Sequence, residues 1–216
     1  DPEVTQTTLM DDWGVEKATR LGASGIKLLV LYRPDSGAVA EAQEQTIDKV
    51  IADCARFDIP LFLEPLLYER SGASDDRRAL VVETVRRLGR RGPDILKVQF
   101  PLDTGLVEDR AAWRDACSEL DSVAPVPWAL LSGGGTFERF REQLAIACEA
   151  GASGFMVGRA LWGEYATAAT DRRPELMRSS LVPRFEELAA IAARDGQPWW
   201  ARHALPEIDE QWYRTY

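Results

Sequence analysis

The chain has 216 residues, 45% of them hydrophobic and 28% charged, and this ordinary globular composition sets aside disordered and collagen-like classes. Its length suits one domain, residues 1–216, with a sizeable core. A net charge of −9, with no basic cluster dense enough to follow a phosphate backbone, argues against a nucleic-acid partner.

No apolar run approaches the roughly 20 residues of a membrane span, and no stretch has the form of a signal peptide. A cytoplasmic location and no membrane partner are expected. The three cysteines, Cys54, Cys117 and Cys148, fall in helix-like segments and read as small apolar residues of a reduced compartment. The single histidine, His203, disfavours a zinc or other metal-dependent mechanism, so no metal site and no cofactor are assigned.

In chain order, Trp13, Ala18 and Leu21 suggest a helix that stops at Gly22. Residues 25–32 form an apolar strand broken only by Lys27 and stopped by Arg33-Pro34. Ile47, Val50, Ile51 and Cys54 give residues 38–57 the period of a helix with one buried face. A second strand, residues 60–66, carries Glu64 near its end, and a helix over 75–91 follows. The third strand, residues 94–101, lies between Gly92-Pro93 and Pro101 with Lys97 at its centre.

A helix over 108–122 leads to the fourth strand, residues 127–132, which runs into Gly133-Gly134-Gly135-Thr136. These glycines leave room for a ligand to approach backbone N–H groups. After a helix over 137–150 comes the fifth strand, residues 154–159, with its exit loop at Gly158-Arg159. A long helix over 174–194 and an aromatic tail over about 196–216 complete the chain.

Five strands alternating with helices predict an α/β fold with a parallel sheet. No G-x-G-x-x-G follows the first strand, which disfavours a doubly wound dinucleotide domain. The expected fold is a (β/α)₈ TIM barrel of which this chain carries the last five strand–helix units, about three strands preceding Asp1.

Strand alternation puts Ile95, Lys97 and Gln99 on one face, Lys27 with Leu29 and Leu31, and Glu64 with Phe62 and Leu66. Parallel neighbours lie about 4.8 Å apart, so Glu64 should fall between the two lysines. Desolvation disfavours an ammonium, and a neutral lysine amine attacks carbonyl carbon to give a Schiff base. The competing reading is a buried Lys-Glu-Lys network that satisfies only itself. Ser132, Gly133 and Gly134, with Gly158 and Arg159, lie where barrels commonly hold a phosphate, in the loops after the last two strands.

The stretches 25–33, 63–65, 95–101, 131–134 and 151–162 together resemble a family of class I aldolases. It contains the tagatose-1,6-bisphosphate and 6-deoxy-6-sulfofructose-1-phosphate enzymes, and the likeness leans toward the latter. The resemblance implies that Lys97 is the Schiff-base lysine, with Lys27 and Glu64 as catalytic neighbours. It also implies that Ser132, Gly133, Gly134, Gly158 and Arg159 bind an anionic end of the substrate, and Arg33 points to the sulfosugar branch. Gly133 departs from the serine of that branch, and the tail with Trp199, Trp200 and Trp212 is longer. The expected partner is a sugar phosphate or sulfosugar phosphate, handled by a homo-oligomer. Alternatives are a silent sugar-phosphate sensor on the same barrel, or a lysine aldolase for deoxysugar acid phosphates.

Overall fold

The computed structural model describes residues 6–68, 76–203 and 209–214. Asp75, where the sequence starts its third helix, and parts of the aromatic tail lie outside the described residues.

One sheet holds β1 (Ile26–Leu31), β2 (Leu61–Leu66), β3 (Ile95–Val98), β4 (Trp128–Leu131) and β5 (Gly154–Met156), each parallel to the next. The helix α1 (Val15–Arg20) precedes β1. The crossovers are α2 (Ala38–Arg56), α3 (Arg77–Gly89), α4 (Arg110–Val123) and α5 (Phe137–Ala150). Beyond β5 come α6 (Arg159–Thr167), α7 (Arg173–Leu176) and α8 (Val182–Asp195). Among the described residues, β1 and β5 each keep one edge unpaired.

The two sheet faces differ because their side chains do. Leu28, Val30, Leu63, Leu96, Val98 and Leu130 are buried in one core with the helical residues Ile47, Val85, Leu88, Leu120 and Leu144. Each such side chain contributes about 1.5–3 kcal/mol on full burial. The opposite face carries Lys27, Leu29, Leu31, Ile95 and Lys97, all partly or wholly exposed. This is the face that a closed barrel would turn inward.

Asp76, Asp109 and Thr136 cap α3, α4 and α5, accepting from the backbone N–H groups of Ala79, Ala111 and Arg139. Gly22 ends α1 with φ 85°, its N–H on Thr19 O and the next N–H on Ala18 O, as the sequence predicts. Trp13, assigned to that helix from sequence, lies before it and is half exposed.

Two elements differ from the sequence reading. Residues 174–194 are helical throughout, as the sequence predicts, but Met177–Leu181 form a π-helical turn between α7 and α8. Pro183 has no N–H to give and its ring crowds the carbonyl of Ser179, so the preceding turn widens. Arg159 is not in an exit loop but begins α6, a nine-residue helix too short for a clear apolar period.

The tail packs on the outside. Arg202 donates from Nε to Gln197 Oε1 at 2.9 Å and from NH1 to Ala124 O at 2.5 Å, and pairs with the Asp121 carboxylate. The indole N–H of Trp128 donates to Asp121 Oδ1 at 2.8 Å, so one carboxylate ties α4, β4 and the tail together. Gly151, closing α5, lies against it: φ is 125°, and an added Cβ would stand 2.3 Å from Asp121 Oδ1. Gly151→Ala should therefore cost about 3 kcal/mol, roughly 6–12 °C in a thermal melt of a chain this size. A melting point within about 2 °C of the unaltered protein's would contradict that strain.

Candidate active site

The C-terminal strand ends open into a cleft of about 410 Å³. Lys97 and Glu64 stand on its wall, with Gln99, Ser132, Gly133, Gly134, Gly158, Arg159 and Trp162 around them.

The β2–β3 register sets Leu63 against Leu96, and its continuation sets Glu64 beside Lys97. Lys97 Nζ lies 2.8 Å from Glu64 Oε1, and Lys27 Nζ lies 2.5 Å from Glu64 Oε2. Exposure of the three side chains is graded: 7% for Glu64, 18% for Lys97 and 49% for Lys27. On β1 the residue opposite Glu64 is Leu29, so Lys27 starts two pairs lower and its stem climbs to the carboxylate. Lys27 is not on the cleft wall; it joins the cluster through Glu64. Oε2 accepts no aligned hydrogen bond despite the nearby ammonium, which leaves a lone pair for a further proton.

The loop after β4 folds back on α6. Gly133 and Gly134 have φ of 58° and 82°, conformations that suit glycine, and Ser132 Oγ accepts from the Gly158 N–H at 3.3 Å. An added Cβ on Gly134 would stand 3.0 Å from a terminal nitrogen of Arg159, so the guanidinium lies directly over this glycine. No carboxylate among the described residues pairs with Arg159. A free guanidinium beside glycine N–H groups at helix starts is a fitting cradle for a phosphate or sulfonate.

Arg33 is the exception among the residues picked from sequence. It is 2% exposed, and its Nε and NH2 both contact the Asp35 carboxylate at 3.0 Å. NH1 donates to Tyr68 O at 3.0 Å, and the guanidinium lies 5.8 Å from the Tyr68 ring centre. Arg33 does not line the cleft. Its commitment to Asp35, two residues on, and to the exit of β2 accounts for a buried arginine without a substrate.

Gln99 and Trp162 reach the cleft without having been singled out. Gln99 had a signal, since it shares a strand face with Lys97. Trp162 had none, because it depends on the unforeseen helix α6. Beyond Ser132 and Gly133 the cleft adjoins a recess of about 240 Å³ lined by Arg77, Thr104, Arg139 and Gln143. All three cysteines are free and buried, and burial pushes the Cys54, Cys117 and Cys148 thiols up to about 11, 12 and 12. Among the described residues, no group of His, Cys, Asp and Glu is placed to hold a metal ion, and no helix is long and apolar enough to cross a membrane.

A parallel β/α sheet with a lysine–carboxylate cluster, and glycine loops beside Arg159, at its C-terminal end has the layout of a β/α-barrel protein with its site at the strand ends. Comparison with known proteins narrows this. Residues 2–164 match the DeoC/LacD family aldolase model, and the chain belongs to that family.

The chain is 28% identical to the tagatose 1,6-diphosphate aldolase of Listeria monocytogenes over 223 residues, covering 90% of this chain and 65% of that protein. It is 27% identical to tagatose 1,6-diphosphate aldolase 2 of Streptococcus mutans, covering 87% and 65%. The chain thus spans about 65% of the length of these relatives. Among solved structures, an archaeal fructose 1,6-bisphosphate aldolase superposes with a TM-score of 0.64 at 23% identity, over 88% of this chain and 66% of that one. An archaeal fructose-1,6-bisphosphate aldolase with its catalytic Lys covalently bound to the carbinolamine intermediate gives 0.63 at 23%, with the same coverage. The fold is that of a TIM barrel, five strands of which lie among the described residues.

Proposed function

We propose that the protein is a class I aldolase, independent of metal, that cleaves a ketose 1-phosphate into dihydroxyacetone phosphate and a three-carbon aldehyde. The observation that carries this reading is Lys97, its side chain 18% exposed on the cleft wall, with the 7% exposed Glu64 side chain placing a carboxylate oxygen 2.8 Å from its amine.

The amine of Lys97 attacks the C2 ketone, the carbinolamine loses water, and an iminium remains. The iminium draws the electron pair of the C3–C4 bond as the C4 hydroxyl gives up its proton, and the aldehyde leaves. The resulting enamine takes a proton at C3, and water releases dihydroxyacetone phosphate and the free lysine. Glu64 carries these protons, since one oxygen faces Lys97 and the other accepts no aligned hydrogen bond. Lys27 balances the charge of Glu64. Ser132, Gly133, Gly134, Gly158 and Arg159 hold the phosphate, or a sulfonate in a sulfosugar substrate. Three buried free thiols suit a cytoplasmic enzyme, and the half-exposed Trp199 and Trp200 suit a homo-oligomer.

The test is borohydride reduction of the intact protein with dihydroxyacetone phosphate, followed by digestion and mass spectrometry. The expected result is the added mass on the peptide containing Lys97. A folded protein that gives no adduct would remove the aldolase reading.

A further inference from the structure

Lys97 has an acid–base partner in Glu64, but attack on a ketone also needs a donor for the carbonyl oxygen, which gathers negative charge as the carbinolamine forms. Gln99 stands two residues beyond Lys97 on the same strand face and lines both the cleft and the adjoining recess. Its Oε1 accepts from the Leu67 backbone N–H at 2.7 Å. Leu67 N–H is a donor only, so it fixes the carboxamide with the oxygen toward β2 and the NH₂ away from it.

That NH₂ has no partner among the described residues, and it is not among the buried polar atoms that lack one. Half of the side chain is thus anchored and the other half is a fixed neutral donor in the cleft. The other side-chain donors are differently placed: Lys27 is off the wall, Arg159 lies over Gly134, Ser132 meets Gly158, and the Trp162 indole N–H lies on the Gly158 side. A neutral donor also leaves the Lys97–Glu64 pair undisturbed, which a further cation beside Glu64 would not.

Building on the Schiff-base reading, we propose that Gln99 Nε2 donates to the substrate's ketone oxygen and stabilises the carbinolamine alkoxide formed by Lys97. Gln99 is then a catalytic residue in its own right. The oxygen gains its proton within the cleft and departs as water when the iminium forms, so the balance of the step is unchanged.

The test is Gln99→Glu, which keeps the size and the oxygen that Leu67 N–H binds while turning the free donor into an acceptor. Adduct formation on Lys97 is timed by mixing the protein with dihydroxyacetone phosphate and quenching in borohydride. The expected result at neutral pH is a rate about 100-fold lower, within the range for loss of one oxyanion donor, with unchanged affinity for inorganic phosphate. The charged groups sharing the cleft and recess with position 99 are Glu64, Lys97, Arg159, Arg77, Asp103 and Arg139, so rates are read as ratios to the unaltered protein at each pH. As pH falls into the carboxyl range the introduced acid regains a proton to donate, and the deficit should shrink; in Gln99→Leu it should persist. A Gln99→Glu rate within threefold of the unaltered protein's, or a deficit indifferent to pH, overturns the proposal even where adduct forms. Absence of adduct in the unaltered protein instead overturns the aldolase reading, and this inference with it. Gln99→Glu retains the Leu67 anchor, so it decides the matter even if Gln99→Leu fails to fold.

Discussion

Lys97→Met is expected to abolish turnover, with kcat falling at least about 10⁴-fold, while the protein stays folded. On the Schiff-base reading cleavage has no electron sink without the iminium, and no other lysine lines the cleft to replace it. Methionine is unbranched and close to the lysine stem in shape, so it fills the same partly buried channel on β3. Glu64 loses one ion-pair partner but keeps Lys27 at 2.5 Å. Steady-state cleavage and a thermal melt, measured on the same preparation, separate the two effects. Retained turnover in the Lys97→Met variant would end the Schiff-base account, and a collapsed melt would call for Lys97→Gln instead.

Glu64→Gln is expected to lower kcat by about 10²- to 10³-fold, the range for removal of a positioned acid–base group. The amide keeps the carboxylate's shape and one acceptor oxygen, so substrate still binds and adduct still forms on Lys97, only slowly. What is lost is the charge between two ammonium groups and the ability to take up and return a proton. Because Lys27 is half exposed, its share of the ion pair is largely screened, and the stability loss should stay near 1–2 kcal/mol. The decisive comparison is kcat against KM: a raised KM with kcat intact would make Glu64 a binding residue rather than a proton carrier.

The strands were legible because each is a short apolar run between glycine or proline signals, and a lone charge in such a run is conspicuous. Alternation of side chains then brought Lys27, Glu64 and Lys97 to one face, and the register did the rest. The glycines around Arg159 were legible for a similar reason, as residues with no packing role at a strand exit. What escaped depended on contacts between distant segments or on one residue's effect on a backbone. Arg33 looked like an anion ligand until Asp35 and the Tyr68 carbonyl occupied it, and the Tyr68 contact joins residues 35 positions apart. The π-helical turn before α8 is explained by Pro183, and an apolar period does not register such a local widening of a continuous helix. Gln99 was visible on the correct face, but its anchoring by Leu67 N–H became evident only when β2 and β3 lay side by side.

The strictly sequential order of the sheet bears on how the molecule is made. Among the described residues every strand pairs only with its neighbours in the chain, so none of these pairings waits for a remote partner. A polypeptide emerging from the ribosome adds each strand to the edge left by the last, a route with short loops to close and little time for bare edges to find wrong partners. Lys27, Glu64 and Lys97 lie on three successive units, and the Ser132–Arg159 cradle on the two that follow. On the proposed assignment, the lysine–carboxylate cluster therefore comes before the Ser132–Arg159 loops in the order of synthesis.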